Sequence, residues 1–159
     1  MITNANIPTS FGKPITAPCL IPVHHASTPT CINDPFMVDG KEYRVTALSF
    51  GTPHGAIIVS DVDKVDVPSL GASLGTHVLF PKGADIVFIE VVDSDSIKVR
   101  LWQRNKGESS FSEEAVCVAA TASMMLHKIH SHRVKVVMAG ISCLVNWDRM
   151  GEVVLENTF

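Results

Sequence analysis

Charge is scarce in this sequence. Asp, Glu, Lys and Arg make up 18% of its 159 residues, and Lys and Arg never run longer than two in a row. Nucleic-acid binding depends on clustered cations that neutralise phosphates, so the pattern argues against a nucleic-acid partner. Long apolar runs are also missing, and none approaches the ~20 residues that a membrane-spanning helix needs. The opening MITNANIPTSFGKP has neither a basic stretch nor the apolar stretch of a secretion signal, so no membrane association and a cytoplasmic location are expected. The four cysteines (Cys19, Cys31, Cys117, Cys143) form no CxxC pair. In such a chain they are expected to be reduced thiols packed as small hydrophobes. His24 and His25 are adjacent, and His127, His130 and His132 surround an expected helix C-terminus. Neither group has a structural-zinc spacing, and histidines suit the negative end of a helix, so no metal is expected.

What is abundant is apolar. Hydrophobic residues reach 46%, and a chain of this length is expected to form one domain, 1–159, that buries about two-thirds of its unfolded surface. Residues 1–35 are rich in Pro and Thr with little periodicity, and read as an extended edge segment and loop. FMVDGKEYRVTALSF carries an Asp-Gly turn between two apolar runs, the mark of a hairpin. GAIIVSDV reads as a short buried strand. DVPSLGASLGTH reads as a short helix opened at Asp66 or Ser69 and closed on glycine. In ADIVFIEVVDSDSIKVRLWQR, a DSDS turn joins 86–92 to a strand where Ile97, Val99 and Leu101 alternate with Lys98 and Arg100. Apolar residues nearly encircle 113–129, so this helix must be buried on most sides. RVKVVMAG, ISCLVNW and EVVLENTF add three strands. The expected fold is α+β, a curved and mostly antiparallel sheet wrapped around a central helix.

The entrance to that helix, GESSFSEEAVCVAA, invites a functional question. A serine-rich approach to a helix is a usual place for an anion or a nucleophile. Here, though, Ser112 before Glu113 and Glu114 makes a good N-cap, and Ser110-x-x-Glu113 fits a capping box. Paired acids at the positive helix end occupy the place an anionic ligand would take.

The runs SFGTPHGAIIVSDVDKVDV, HVLFPKGADIVFIEVV and IKVRLWQRNKGES resemble the C-terminal half of diaminopimelate epimerases. The likeness extends from about Phe36 to the end, with FGKP and the IPV segment adding weaker support upstream. It rests on a GxPH turn (Gly51, Pro53, His54), an FPxG segment (Phe80, Pro81, Gly83) and an approach through Arg104, Gly107 and Glu108. It implies one of two similar sheet-and-helix halves and cofactor-free isomerase chemistry of amino-acid metabolism, the family's lysine-biosynthesis step. Two thiols, one from each half, remove and return the α-proton. Such thiols need a helix N-terminus to activate them, and helix-end amides to hold the substrate carboxylate.

By the same resemblance, this chain departs where that chemistry lives. Ser112 stands at the family's thiol position, with Glu113, Glu114 and Ala115 in place of small residues. Thr52 replaces a substrate-contacting Asn, Val87 replaces another, and Gln103 replaces the Glu of a Glu-Arg pair of which Arg104 remains. His54 keeps a place that admits a catalytic role or a hydrogen-bonded turn role. Arg104 admits a carboxylate grip, or a pairing with Glu108 or with an acid on a neighbouring strand. Cys117 lies too far inside the helix to substitute and is expected in the core. The candidate site is therefore Ser112 and His54 for chemistry, with Thr52, Gln103, Arg104, Glu113 and Glu114 around a possible small-molecule ligand.

Three readings follow: a domain without the two-thiol chemistry that acts as a binding or structural module; a half-length racemase or epimerase completed by a homodimer or by a separate N-terminal-half partner; and a piece of a longer protein.

Overall fold

The computed structural model describes residues 8–24 and 29–158, so His25 lies outside the described residues. The strands are β1 (Thr9–Ser10), β2 (Asp34–Val38), β3 (Lys41–Ser49), β4 (Pro53–Ile58), β5 (Asp85–Asp93), β6 (Ser96–Gln103), β7 (Gly107–Ser109), β8 (Arg133–Met138), β9 (Ile141–Trp147) and β10 (Val153–Thr158). The helices are α1 (Val67–Gly75) and α2 (Glu113–Met125).

Turn chemistry sets the hairpins. Asp39 and Gly40, at φ 51° and 78°, join β2 to β3, and Ala139 and Gly140, at φ 52° and 78°, join β8 to β9. Paired left-handed residues give the two-residue turn whose twist matches that of the strands. The sheet runs β1-β10-β9-β8-β6-β5-β4-β3-β2, with β7 beside β6, and is antiparallel except at β4/β5 and β6/β8. It curls without closing, because β1 and β2 remain as free edges. Of residues 1–35, read as an extended edge segment, those described supply edge β1 and a bridge from Ile15 to Ser49, with a turn at 18–22.

The two parallel pairs need crossovers, and the helices are those crossovers: α1 between β4 and β5, α2 between β6 and β8. Both move the same way across the sheet, but β5 and β6 are antiparallel, so the two pairs run in opposite directions. A shared hand then puts the helices on opposite faces. Side-chain alternation in β5 agrees: Val87 and Ile89 join the core around α2, while Ile86 and Phe88 join the core that contains Val67 and Leu74 of α1.

Helix α2 is buried from Ala115 to Ser123 without interruption and packs against β3, β4, β5, β6, β8, β9 and β10. Its hydroxyls turn inward without penalty, since Thr121 donates to the Cys117 carbonyl and Ser123 to the Ala119 carbonyl. The helix is four residues shorter than its apolar pattern suggests. His127 turns left-handed at φ 57°, and the Lys128 and Ile129 amides both bond back to the Ser123 carbonyl. Ile129 is still buried, but from beyond the helix end.

In α1 the Asp66 side chain caps Ser69 N at 3.3 Å, the first of the two expected openings. The helix closes on glycine as expected, and that glycine has a second task. Gly75 is its last residue and Thr76 the cap, while a Cβ on Gly71 or Gly75 would fall 2.5 or 2.2 Å from Trp102. The two glycines form a notch for the indole. Gly→Ala inside an exposed helix gains about 1 kcal/mol, but here overpacking dominates. Gly75→Ala is expected to lower stability by about 1–3 kcal/mol in urea denaturation; a gain would refute the notch.

Candidate functional site at the entrance to helix α2

Ser112 is the N-cap, its Oγ accepting from Ala115 N at 3.2 Å. The capping box expected from Ser110 and Glu113 is not the one used, because the helix starts two residues later. Glu113 points into solvent, whereas Glu114 is partly buried and reaches across to the β3–β4 turn. There its Oε2 accepts the Thr52 amide at 2.9 Å and stands 3.9 Å from His54 Nδ1.

That turn uses its own donors. Gly51, at φ 138°, donates its amide to Ser49 Oγ at 2.8 Å, and His54 Nδ1 donates to the Thr52 carbonyl at 2.8 Å. His54 is 1% exposed. Its other nitrogen, Nε2, has no hydrogen-bond partner among the described residues and faces Asp85 Oδ2 at 3.9 Å. Parallel pairing of β4 with β5 sets His54 directly against Asp85.

Asp85 was not legible as a site residue, although an acid directly before the apolar run IVFI was the available signal. It is 7% exposed, and its Oδ1 accepts from both the Arg104 amide (3.1 Å) and Arg104 Nε (3.4 Å). The guanidinium also donates to the Lys82 carbonyl at 2.7 Å, lying where a Cβ on Gly83 would come within 2.8 Å of Arg104 Cδ. The FPxG segment thus seats Arg104 against Asp85. Of the two pairings open to Arg104 it takes the neighbouring-strand acid. Glu108 is held by Arg100, through Nε–Oε2 at 2.8 Å and Nη2–Oε1 at 3.0 Å.

A line of groups therefore crosses the corner, Glu114–His54–Asp85–Arg104, with Thr52 at one end. Gln103 lies at the end of β6, paired with Gly107, and makes no recorded side-chain bond to this line. Val87 is in the core. Nor does Ser112 have a base: among the described residues its hydroxyl bonds only to Ala115 N.

The buried thiols offer no replacement nucleophile. Cys31, Cys117 and Cys143 are buried, while Cys19 is exposed, against the expectation that all four pack inside. Burial pushes the Cys31 thiol up to about 12, and burial likewise raises Cys117 and Cys143.

The family profile for diaminopimelate epimerase matches residues 46–158. The chain belongs to the diaminopimelate epimerase family. It is 32% identical over 149 residues to the diaminopimelate epimerase of Geobacillus sp. (strain WCH70), covering 93% of this chain and 52% of that one. It is 30% identical to the Bacillus cereus (strain ATCC 14579) enzyme of that name, over 98% of this chain and 54% of the relative. The chain spans about half the length of the curated relatives it matches. Among solved structures, a probable proline racemase from Agrobacterium radiobacter K84 shares the fold, with TM-score 0.50 and 9% identity over 80% of this chain and 47% of that one.

Two expectations follow from this geometry. Glu114→Ala strands the Thr52 amide and should cost about 1–2 kcal/mol. Added formate should then raise the melting temperature of the variant more than that of the parent, with chloride as the control. Equal responses would show that the corner does not take a carboxylate.

The buried thiols give a pH effect. The unfolded chain releases its thiol protons near 9.0, before the folded chain does. Their stabilisation is complete below that pH and declines as pH rises toward 12. Denaturation midpoints compared at about pH 8 and about pH 10.5 should fall less for Cys31→Ala than for the parent.

Proposed function

We propose that this chain is a diaminopimelate-epimerase-like domain without the two-thiol proton transfer, acting as a binding or structural module. The observation that supports this most is the Glu114 carboxylate seated on the Thr52 amide at 2.9 Å, in the corner where a substrate carboxylate would sit, with a hydroxyl rather than a thiol at the helix cap. Proton abstraction from carbon needs a poised base. Ser112 has no partner to make it one, and Cys117 lies inside the helix with its proton held by burial. The chain's own Glu114 carboxylate occupies the corner, on the Thr52 amide.

A second reading keeps catalysis and is favoured by the half-length match. Here the domain is a cofactor-independent racemase or epimerase completed by a second copy or by a separate N-terminal-half partner. Glu113 and Glu114 at the entrance disfavour a diacid, so the substrate on this reading is a neutral or cationic small molecule. In both readings the domain associates.

Incubating the purified protein with diaminopimelate in D2O separates the first reading from family activity. No deuterium at the α-carbon above the buffer rate is expected, and solvent-derived label that scales with protein concentration would overturn the inactive reading.

A further inference from the structure

The opposite end of α2 carries a cavity that the helix-entrance reading does not use. It has a volume of about 450 Å³ and lies between the turn that ends α2 and the β9–β10 turn. It is an open surface groove whose polar side chains are mostly exposed, so a ligand there keeps one face in solvent. Its apolar lining is Met124, the buried Ile129 and the half-buried Trp147. The Trp147 ring is fixed, because Nε1 donates to the Gly151 carbonyl at 3.0 Å.

The polar lining is mostly exposed and mixed, with Arg149 as its one side chain that only donates. His127, His130, His132 and Arg149 all line it. Among the described residues, His127, His130 and Arg149 make no side-chain hydrogen bond or ion pair. His132 is fixed by donating Nδ1–H to Asn146 Oδ1 at 2.6 Å. The one acid in the lining, Asp148, accepts the Met150 and Glu152 amides on Oδ1, both at 2.9 Å, and keeps Oδ2 as an acceptor.

Helix polarity alone would account for histidines here if the last carbonyls were bare. They are not: the carbonyls of Ala122, Ser123 and Met124 already accept from Leu126, from Lys128 and Ile129, and from His127. The imidazoles and the guanidinium therefore remain available to something else. A held indole beside the unpaired Arg149 guanidinium suits a flat ring that carries an acceptor-only group.

We propose that this cavity binds a planar aromatic carboxylate, with its ring against Trp147 and its carboxylate among Arg149 and the histidines. Among the described residues, no group of three or more His, Cys, Asp or Glu side chains is placed to hold a metal ion.

The test uses the full chain and 2-naphthoate, followed by the two indole N–H signals in nuclear magnetic resonance. Trp102, 8% exposed and packed against α1, serves as the internal control. The expected result is a saturable shift of the Trp147 signal with Trp102 unmoved. Affinity should drop about fivefold or more for 2-naphthalenemethanol, which lacks the charge, and for the Arg149→Ala variant, whose substituted side chain is exposed. No saturable shift would overturn the proposal. Equal binding of the alcohol would overturn the anionic part, inorganic phosphate binding as tightly as naphthoate would overturn the aromatic part, and a response to nickel ion alone would reassign the cluster to a metal.

Discussion

The constraint behind this structure is that α2 has no solvent face over most of its length. Nine consecutive residues are buried, four of them alanines, and seven strands touch the helix. A helix held on all sides cannot slide or tilt to suit a ligand, so its first turn is delivered to one fixed place, beside the β3–β4 turn. Whatever side chains stand in that turn decide what the corner can do. In this chain they are a capping hydroxyl and a carboxylate that crosses to the opposing turn.

That carboxylate sits at the meeting point of two positive features, a backbone amide and a helix N-terminus, which is where an anion is most stabilised. Here Glu114 places its own carboxylate there. The rest of the line follows from sheet pairing. Parallel register puts His54 against Asp85, Asp85 holds Arg104, and a left-handed glycine at position 83 leaves room for the guanidinium. Each end of the line is thus held by the chain's own groups, Glu114 on the Thr52 amide and Arg104 on Asp85.

Much of this was legible in the sequence where local chemistry decides the outcome. The Asp39-Gly40 and Ala139-Gly140 turns, the alternation of Ile97, Val99 and Leu101, and the apolar girdle of α2 each follow from rules that act within a few residues. Illegible features depended on distant partners. The glycines of α1 look like helix stops until Trp102, far along the chain, is placed against them. Ile129 reads as one more helical position because its burial comes from beyond a left-handed residue that no local signal announces. Ser112 as the cap and the acids around it could be read directly, but which acid would turn inward could not. That choice depends on a Thr52 amide 62 residues away, and Asp85 became a site residue only through register across two strands.

The claim that Glu114 closes this corner is tested most directly by hydrogen exchange at a single amide. If the carboxylate holds Thr52 N–H, that proton should exchange at least about tenfold more slowly in the parent than in Glu114→Gln or Glu114→Ala, while amides in the middle of α2 keep their protection. Equal exchange at Thr52 in all three proteins would contradict the account and leave the helix entrance open to a ligand.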